Sequence, residues 1–223
     1  MSNIKYTLED SFKHRGRRKR LVEALRNKGI TDENVLGAIS KVPRHFFFPK
    51  DFWDDAYEDK AFPIGSGQTI SQPYTVAFQT QLLNVQPGST VLEIGTGSGY
   101  QAAVLAQLGA EVYTIERVED LFRTTSQLFA KLKLPIHCFL GDGTIGLASK
   151  GPFDGIVVTA GGNSLAEQLK VQLRTGGRLV VPMGDRSIQK MVLIKKVVEN
   201  KYDRTEHGEF KFVPLLGKYG WET

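Results

Sequence analysis

The chain of 223 residues has a single cysteine, Cys138. One thiol forms no internal disulfide, so a reducing compartment, the cytoplasm, is expected. Cys138 sits in the apolar run Ile136–Leu140, where a small packed strand residue is the simpler reading than a nucleophile. No cluster of cysteine and histidine has metal-ligand spacing, so no metal is expected. No stretch approaches the roughly 20 apolar residues of a spanning helix. The start, MSNIKYTLED, lacks the apolar core of a secretory leader. No membrane partner is therefore expected. Internal repeats and low-complexity tracts are also missing. With 41% hydrophobic and 24% charged residues, composition excludes a disordered chain, a collagen-like fibre and a coiled-coil rod.

The charge excess is uneven. Residues 1–50 hold 12 of the 29 Lys+Arg but 5 of the 24 Asp+Glu, so this segment carries +7 and the remainder −2. The densest part is His14-Arg15-Gly16-Arg17-Arg18-Lys19-Arg20. A basic arm of this kind tracks nucleic-acid phosphates in some proteins. Here few aromatics interleave and no nucleic-acid motif surrounds it, so a solvated helix face is the first reading and nucleic acid is not an expected partner.

Residues 1–60 read as a helical arm and connector, and residues 61–223 as the main domain, the two forming one compact unit. Leu21, Val22 and Leu25, then Val35, Leu36 and Ile39 after Thr31-Asp32-Glu33, have helical spacing. In the connector, Arg44 and His45 stand among Val42, Pro43 and Phe46–Phe48 and read as bracing residues, with Trp53 and Tyr57 packed over them. Pro73 opens a further helix. From residue 90 strands and helices alternate. Strands are expected at Thr90–Ile94, Val112–Glu116, Ile136–Leu140, Phe153–Thr159 and Arg178–Pro182, with helices at Tyr100–Leu108, 118–132 and Leu165–Leu173 and a turn at Gly176-Gly177. That order specifies an α/β fold with a doubly wound, mostly parallel sheet. Met191–Val198 and Glu209–Leu215 follow as further strand candidates without an intervening helix, so at least one C-terminal strand is antiparallel.

The most informative stretch is Glu93-Ile94-Gly95-Thr96-Gly97-Ser98-Gly99-Tyr100, a strand running through a glycine turn into a helix. It lies at the carboxyl end of the first sheet strand, where such folds bind ligands. The spacing is G-x-G-x-G, not the dinucleotide G-x-G-x-x-G, and Glu93 would repel a pyrophosphate; a nicotinamide dehydrogenase is disfavoured. Glu93 is suited to ordering the loop or attracting an ammonium. Glu116, ending the second strand and followed by Arg117, is placed to accept both hydroxyls of a ribose. Asp142, in Gly141-Asp142-Gly143, is placed to take the exocyclic amine of adenine. A charged nucleoside without phosphates fits this set, and S-adenosyl-L-methionine is the expected cofactor. The bland alternative makes Glu116 and Asp142 strand-end caps.

The sequence here resembles the protein-L-isoaspartate O-methyltransferases, which are S-adenosylmethionine-dependent enzymes of Rossmann-like fold. The likeness runs from about Val42 to Gly217. Val42-Pro43-Arg44, Gly65–Tyr74, Glu93–Ala103, Gly141-Asp142-Gly143, Pro152-Phe153-Asp154, Gly176–Val180 and Phe212-Val213-Pro214-Leu215 carry it in order. Thr159-Ala160-Gly161-Gly162-Asn163 departs from the family's usual alanines and proline. The resemblance implies carboxyl methylation of L-isoaspartyl residues in damaged proteins and peptides, which starts repair through a succinimide, by a cytosolic monomer. It places Gly95, Thr96, Gly97, Ser98, Gly99, Arg117 and Gly143 beside Glu93, Glu116 and Asp142 at the cofactor, and Thr69, Ile70, Ser71, Gln72 and Val213 at the substrate.

Methylation of a carboxylate needs no strong base, because the nucleophile, with a pKa of about 4, is already ionised at neutral pH. The expected devices are neutral donors. Ser71 suits the catalytic role, and it equally suits an N-cap of the helix at Pro73; the two are compatible. Val213 fits main-chain pairing with a peptide, and an ordinary core strand fits it as well. An S-adenosylmethionine-dependent enzyme acting on RNA or a small molecule is the alternative. It shares Glu93–Gly99 but has no reason to carry Gly67–Tyr74. A non-catalytic nucleic-acid-binding module using the basic arm is a more distant one.

Overall fold

The computed structural model describes residues 9–162 and 166–221. In the arm, Leu21 and Leu25 form the buried stripe of α1 (Phe12–Asn27). The Asp32 carboxylate caps α2 (Glu33–Lys41) by accepting from the Asn34 and Val35 amides at 2.9 and 3.2 Å. The connector continues as two single 3-10 turns, Arg44–Phe47 and Lys50–Phe52. An antiparallel hairpin, β1 (Phe62–Gly65) and β2 (Gln68–Ile70), precedes α3 (Pro73–Leu83), which has Pro73 in its first turn. There the pyrrolidine costs no hydrogen bond.

The alternating part follows as β3 (Thr90–Ile94), α4 (Tyr100–Gln107), β4 (Glu111–Glu116), α5 (Glu119–Leu132), β5 (Ile136–Leu140), β6 (Phe153–Val158), α6 (Ala166–Lys170), β7 (Leu173–Gly184), β8 (Gln189–Val198) and β9 (Lys201–Phe210). The sheet order is β5-β4-β3-β6-β7-β8-β9. Five strands are parallel, and β8 and β9 add an antiparallel edge. The chain moves from β3 outward to β5, then crosses back to β6. The carboxyl ends of β3 and β6 are therefore the topological switch point, where a crevice opens.

Both faces of the central strands are covered. Val91, Val157 and Val180 point into one core with Leu25, Ile39 and Leu105, while Leu92, Ile156 and Leu179 point into the other. Strands buried on both sides read as apolar runs, which is why β3 and β6 were legible. By the same alternation Glu93 shares a face with Val91 and is fully buried. The arm supplies a large part of the first core, so it is packed into the fold and not laid over it.

Four expectations need correction. The last strand is β9, not Glu209–Leu215. Lys201–Phe210 is too polar to read as a strand, yet it is a solvated edge, where charges guard against further pairing; Pro214, lacking an N–H, lies beyond it. The Gly176-Gly177 turn is absorbed into β7 as an irregularity in its pairing with β6. Gly176 has φ +83°, and a Cβ on Gly177 would meet the Phe153 carbonyl oxygen at 2.8 Å. Leu173 belongs to β7 and not to the preceding helix, part of whose expected span, with Asn163, lies outside the described residues. The strand holding Cys138 is the half-covered sheet edge β5, so the thiol is only partly buried. If the arm is part of the core, Ile39→Ala lowers the unfolding free energy by about 2–5 kcal/mol, read as a shifted single transition in urea.

Candidate active site

The glycine loop runs off β3 with Gly95, Gly97 and Gly99 all at positive φ, +95°, +52° and +85°. A side chain at Gly95 would strike the Thr159 hydroxyl at 2.5 Å, and one at Gly99 would enter the Phe129 ring. The loop is pinned on both sides. The Thr159 hydroxyl donates to the Gly95 carbonyl at 2.6 Å, and the Thr125 hydroxyl to the Gly97 carbonyl at 2.7 Å. The Gly95 amide bonds the Ile115 carbonyl of β4 at 2.9 Å.

The two glutamates support this loop differently. Glu93 lies opposite Thr114 in the β3–β4 register, and the Thr114 hydroxyl donates to its Oε2 at 2.6 Å. The Thr96 and Thr114 hydroxyls are 2.7 Å apart. Glu93 Oε1 has no hydrogen-bond partner although it lies on the cavity wall. Burial, with repulsion from the Glu116 charge added, outweighs the favourable contacts with the Thr114 hydroxyl and the Ala102 backbone and pushes the Glu93 carboxyl up to about 8. Glu116 is the latch of the loop. Its Oε2 accepts from the Gly97 amide at 2.8 Å, and its Oε1 from the Arg117 and Val118 amides at 2.8 and 2.9 Å. Three of roughly four acceptor positions are thus already used.

Asp142 is already engaged within the protein. Its Oδ1 accepts from the Thr144 amide and hydroxyl at 2.9 and 2.7 Å, and its Oδ2 from the Lys218 amide at 2.8 Å. Burial raises its pKa, but the hydrogen bonds from Lys218 and Thr144 prevail and hold it below the usual range. Gly143 lines the inner cavity, and Asp142 lines a neighbouring hollow that shares Arg117 with it. The Asp142–Lys218 bond fastens the C-terminal segment across the crevice. That segment also takes the Gly161 amide on the Val213 carbonyl and gives the Leu215 amide to the Gly161 carbonyl, both at 2.8 Å.

Two hollows result. One, about 830 Å³ of empty space open to solvent, is lined by Ile70, Glu93, Gly95–Ser98, Glu116, Arg117 and Gly143. The other, about 1650 Å³, is an open groove between α3 and the β7–β8 turn that includes Gln72. Both are bounded by Thr69, Ser71, Thr159 and Val213. This shared rim lets a donor in one hollow face an acceptor in the other. The cap of α3 is Gln72, without a side-chain hydrogen bond, so the capping reading of Ser71 fails. Among the described residues the Ser71 hydroxyl and the Val213 amide have no partner, while the Ser71 carbonyl accepts from Arg44 Nη2 at 2.8 Å. The Gln72 side chain donates to the Asp59 carbonyl at 3.0 Å.

The profile of the family described as protein-L-isoaspartate (D-aspartate) O-methyltransferase matches residues 16–220. A protein-L-isoaspartate O-methyltransferase of Flavobacterium johnsoniae is 56% identical over 94% of this chain and 98% of its own length. That of Cytophaga hutchinsonii is 52% identical over 96% and 97%. The chain belongs to the protein-L-isoaspartate (D-aspartate) O-methyltransferase family. Among solved structures, a protein-L-isoaspartate O-methyltransferase superimposes with a TM-score of 0.80 at 28% identity, covering 91% of this chain and 67% of that one. A Plasmodium falciparum protein titled as a member of the same enzyme class, in complex with S-adenosyl-L-homocysteine, gives 0.77 at 27% identity, covering 89% and 98%.

Within this methyltransferase, Arg44 does brace the connector. It is fully buried, with Nε on the Ala56 carbonyl at 2.9 Å and its guanidinium carbon 4.5 Å from the centre of the Tyr100 ring. Much of the arm's basic charge is spent internally: Arg17 pairs with Asp54, and buried Arg18 with Asp10, the Ser40 carbonyl and the Tyr57 hydroxyl. Asp10, His14 and His45 bring three ligand atoms within 4.8 Å of one another. The imidazoles stack face to face at 3.9 Å and both Asp10 oxygens bond Arg18, so their lone pairs do not converge on one point and the cluster knits α1 to the connector. Trp53 and Tyr57 pack on His45 as expected, with rings 4.8 and 5.7 Å away. Burial raises the Cys138 thiol pKa, which suits packing and not attack.

Thr159 and Gln189 were missed. Thr159 lay in the departing segment and carries no motif. Gln189, 2% exposed, accepts from the Phe212 amide at 2.8 Å and donates to the Asp185 carbonyl at 2.5 Å. Nothing in the sequence around Gln189 signals either bond.

Two outcomes follow from the glutamates. The folded state holds a proton on Glu93 that the unfolded chain releases near pH 4.5, so stability falls as pH rises from there toward about 8. Glu93→Gln flattens that fall in urea titrations across the window. Glu116→Ala frees the Gly97 amide and weakens S-adenosyl-L-homocysteine binding at least about tenfold by calorimetry, a loss of about 1.4 kcal/mol.

Proposed function

We propose that this chain transfers a methyl group from S-adenosyl-L-methionine to the free α-carboxylate of L-isoaspartyl residues in damaged proteins and peptides, and so begins their repair through a succinimide. The carrying observation is the shared rim, where two hollows, one bedded on the glycine loop and one open to the surface, meet at an unpartnered serine hydroxyl.

The residues fit the cofactor. The glycine loop presents backbone without side chains, and the buried Glu93 carboxyl on the cavity wall would give up its proton beside an ammonium group and pair with it. Gly95, Thr96, Gly97, Ser98 and Gly99 would bed it, with Glu116, Arg117 and Gly143 at the ribose and base. Glu116 retains about one acceptor position for a hydroxyl. Asp142 acts beside Gly143 through the segment it anchors. When bound, the cofactor supplies an electrophilic methyl on a sulfonium.

The protein's part is positioning and exclusion of water, which lower a barrier by up to ~7–11 kcal/mol in favourable systems. The Ser71 hydroxyl donates to one carboxylate oxygen and leaves the other to attack. A neutral donor is apt, because a full positive charge would blunt the nucleophile. Thr69 flanks it, Ile70 closes the wall, Gln72 holds the segment to Asp59, and the free Val213 amide pairs with the substrate main chain. Main-chain pairing tolerates varied side chains, as repair of many proteins requires.

In this reading, arm 1–60 and domain 61–223 act as one unit and as a monomer. The single free thiol supports a cytoplasmic setting, and the internal pairing of Arg17 and Arg18 supports proteins over nucleic acid as partners. No helix among the described residues is long and apolar enough to cross a membrane.

The test is transfer of labelled methyl to twin peptides, one with L-isoaspartyl and one with normal L-aspartyl. Base-labile label on the isoaspartyl twin alone is expected, with turnover reduced at least about tenfold in Ser71→Ala and cofactor affinity nearly unchanged. Label on neither twin, with cofactor bound, would redirect the reading to RNA or small-molecule acceptors.

A further inference from the structure

The outer groove is more apolar than its expected guest. An L-isoaspartyl residue offers a carboxylate, two amides and one methylene, all of which the polar rim at Thr69, Ser71 and Thr159 can serve. Beyond that rim the wall changes character. Tyr74 and Phe210 lie parallel with ring centres 6.3 Å apart, at an interplanar angle of 11°. Phe212 continues the row 6.4 Å from Phe210. Ile188, in the β7–β8 turn, lines the same groove and is 44% exposed, a large aliphatic side chain open to solvent. Phe210, Phe212 and Tyr74 are each only partly covered. The charges on this wall, Glu209 and Lys211, are one of each sign, so the groove has no net charge with which to select.

Resting on the function proposed above, we infer that Tyr74, Phe210, Phe212 and Ile188 form a specificity subsite that takes an apolar or aromatic side chain flanking the isoaspartyl residue. The wall is continuous with the rim through Val213, whose free amide leads a bound main chain along it. Side chains alternate along an extended peptide, so a neighbour of the reacting residue falls on the wall. Gln189 holds the Phe212 amide and keeps Phe212 and Val213 in one register. The subsite grades substrates and does not gate them, because main-chain pairing is indifferent to side chains.

The experiment uses L-isoaspartyl peptides in a Gly/Ser background, with Phe or Ser placed one or two residues to either side. At one of these positions Phe raises kcat/KM about tenfold, carried by KM, which is the yield of covering roughly 55 Å² of apolar surface. In Ile188→Ser and in Phe210→Ala, the Phe-to-Ser ratio falls toward one; Ile188 is exposed, so its replacement leaves the fold in place. Equal kcat/KM for every peptide, or an unchanged ratio in both variants, overturns the subsite while leaving the reaction standing. Methylation of no peptide overturns the reaction itself.

Discussion

One buried cation joins the parts of this molecule. Arg44 has no exposed surface, yet it carries a charge, because burial lowers its pKa only to about 10. It reaches the Ala56 carbonyl in the connector, the Ser71 carbonyl at the rim and the face of Tyr100, the first residue of α4. A fully buried charge is costly, and an apolar side chain of similar volume is often no worse for stability. What an apolar residue would not do is hold the Ser71 main chain while touching the end of the glycine loop. Arg44 therefore ties the acceptor side to the donor side through a single planar group. The arm that carries it is packed into the core through its apolar side chains, Leu25, Ile39 and Phe46 among them.

From that joint, the site is built by using up polar groups in advance. The loop carbonyls are held by Thr159 and Thr125, and its Gly97 amide by Glu116. Asp142 is spent on Thr144 and on the strap at Lys218. The groups left unpaired around the site include Glu93 Oε1 and Gln101 Oε1, on residues of the inner wall, and the Ser71 hydroxyl and Val213 amide at the rim. A methyl transfer to an ionised carboxylate asks for this economy. It requires no proton acceptor, and the described histidines near the arm serve packing.

Much of the fold was legible because the central strands are buried on both faces. Thr90–Ile94 and Ile136–Leu140 fall where the sequence placed them, and β4 and β6 within a residue. Legibility failed where polarity and structure part company. Lys201–Phe210 is charged because it is an edge, and Gly176-Gly177 bends a strand without ending it. At the site, residue types and order indicated Glu93, Glu116 and the glycines, and the family resemblance indicated Ser71. Their partners were hidden, since backbone amides of Gly97 and Lys218 have no sequence signature. The same holds for Ser71, whose neighbour Gln72 proved to be the helix cap, and for Thr159 and Gln189, which act through bonds to backbone groups distant in sequence.

The central claim is that donor and acceptor meet at the rim formed by Thr69, Ser71, Thr159 and Val213. A crystal structure with S-adenosyl-L-homocysteine and an L-isoaspartyl peptide tests it most directly. The account predicts the sulfur in the inner hollow facing the peptide α-carboxylate across a gap that a methyl group fills, with the Ser71 hydroxyl bonded to one carboxylate oxygen. A peptide seated away from the rim, or a carboxylate that Ser71 does not touch, would contradict it.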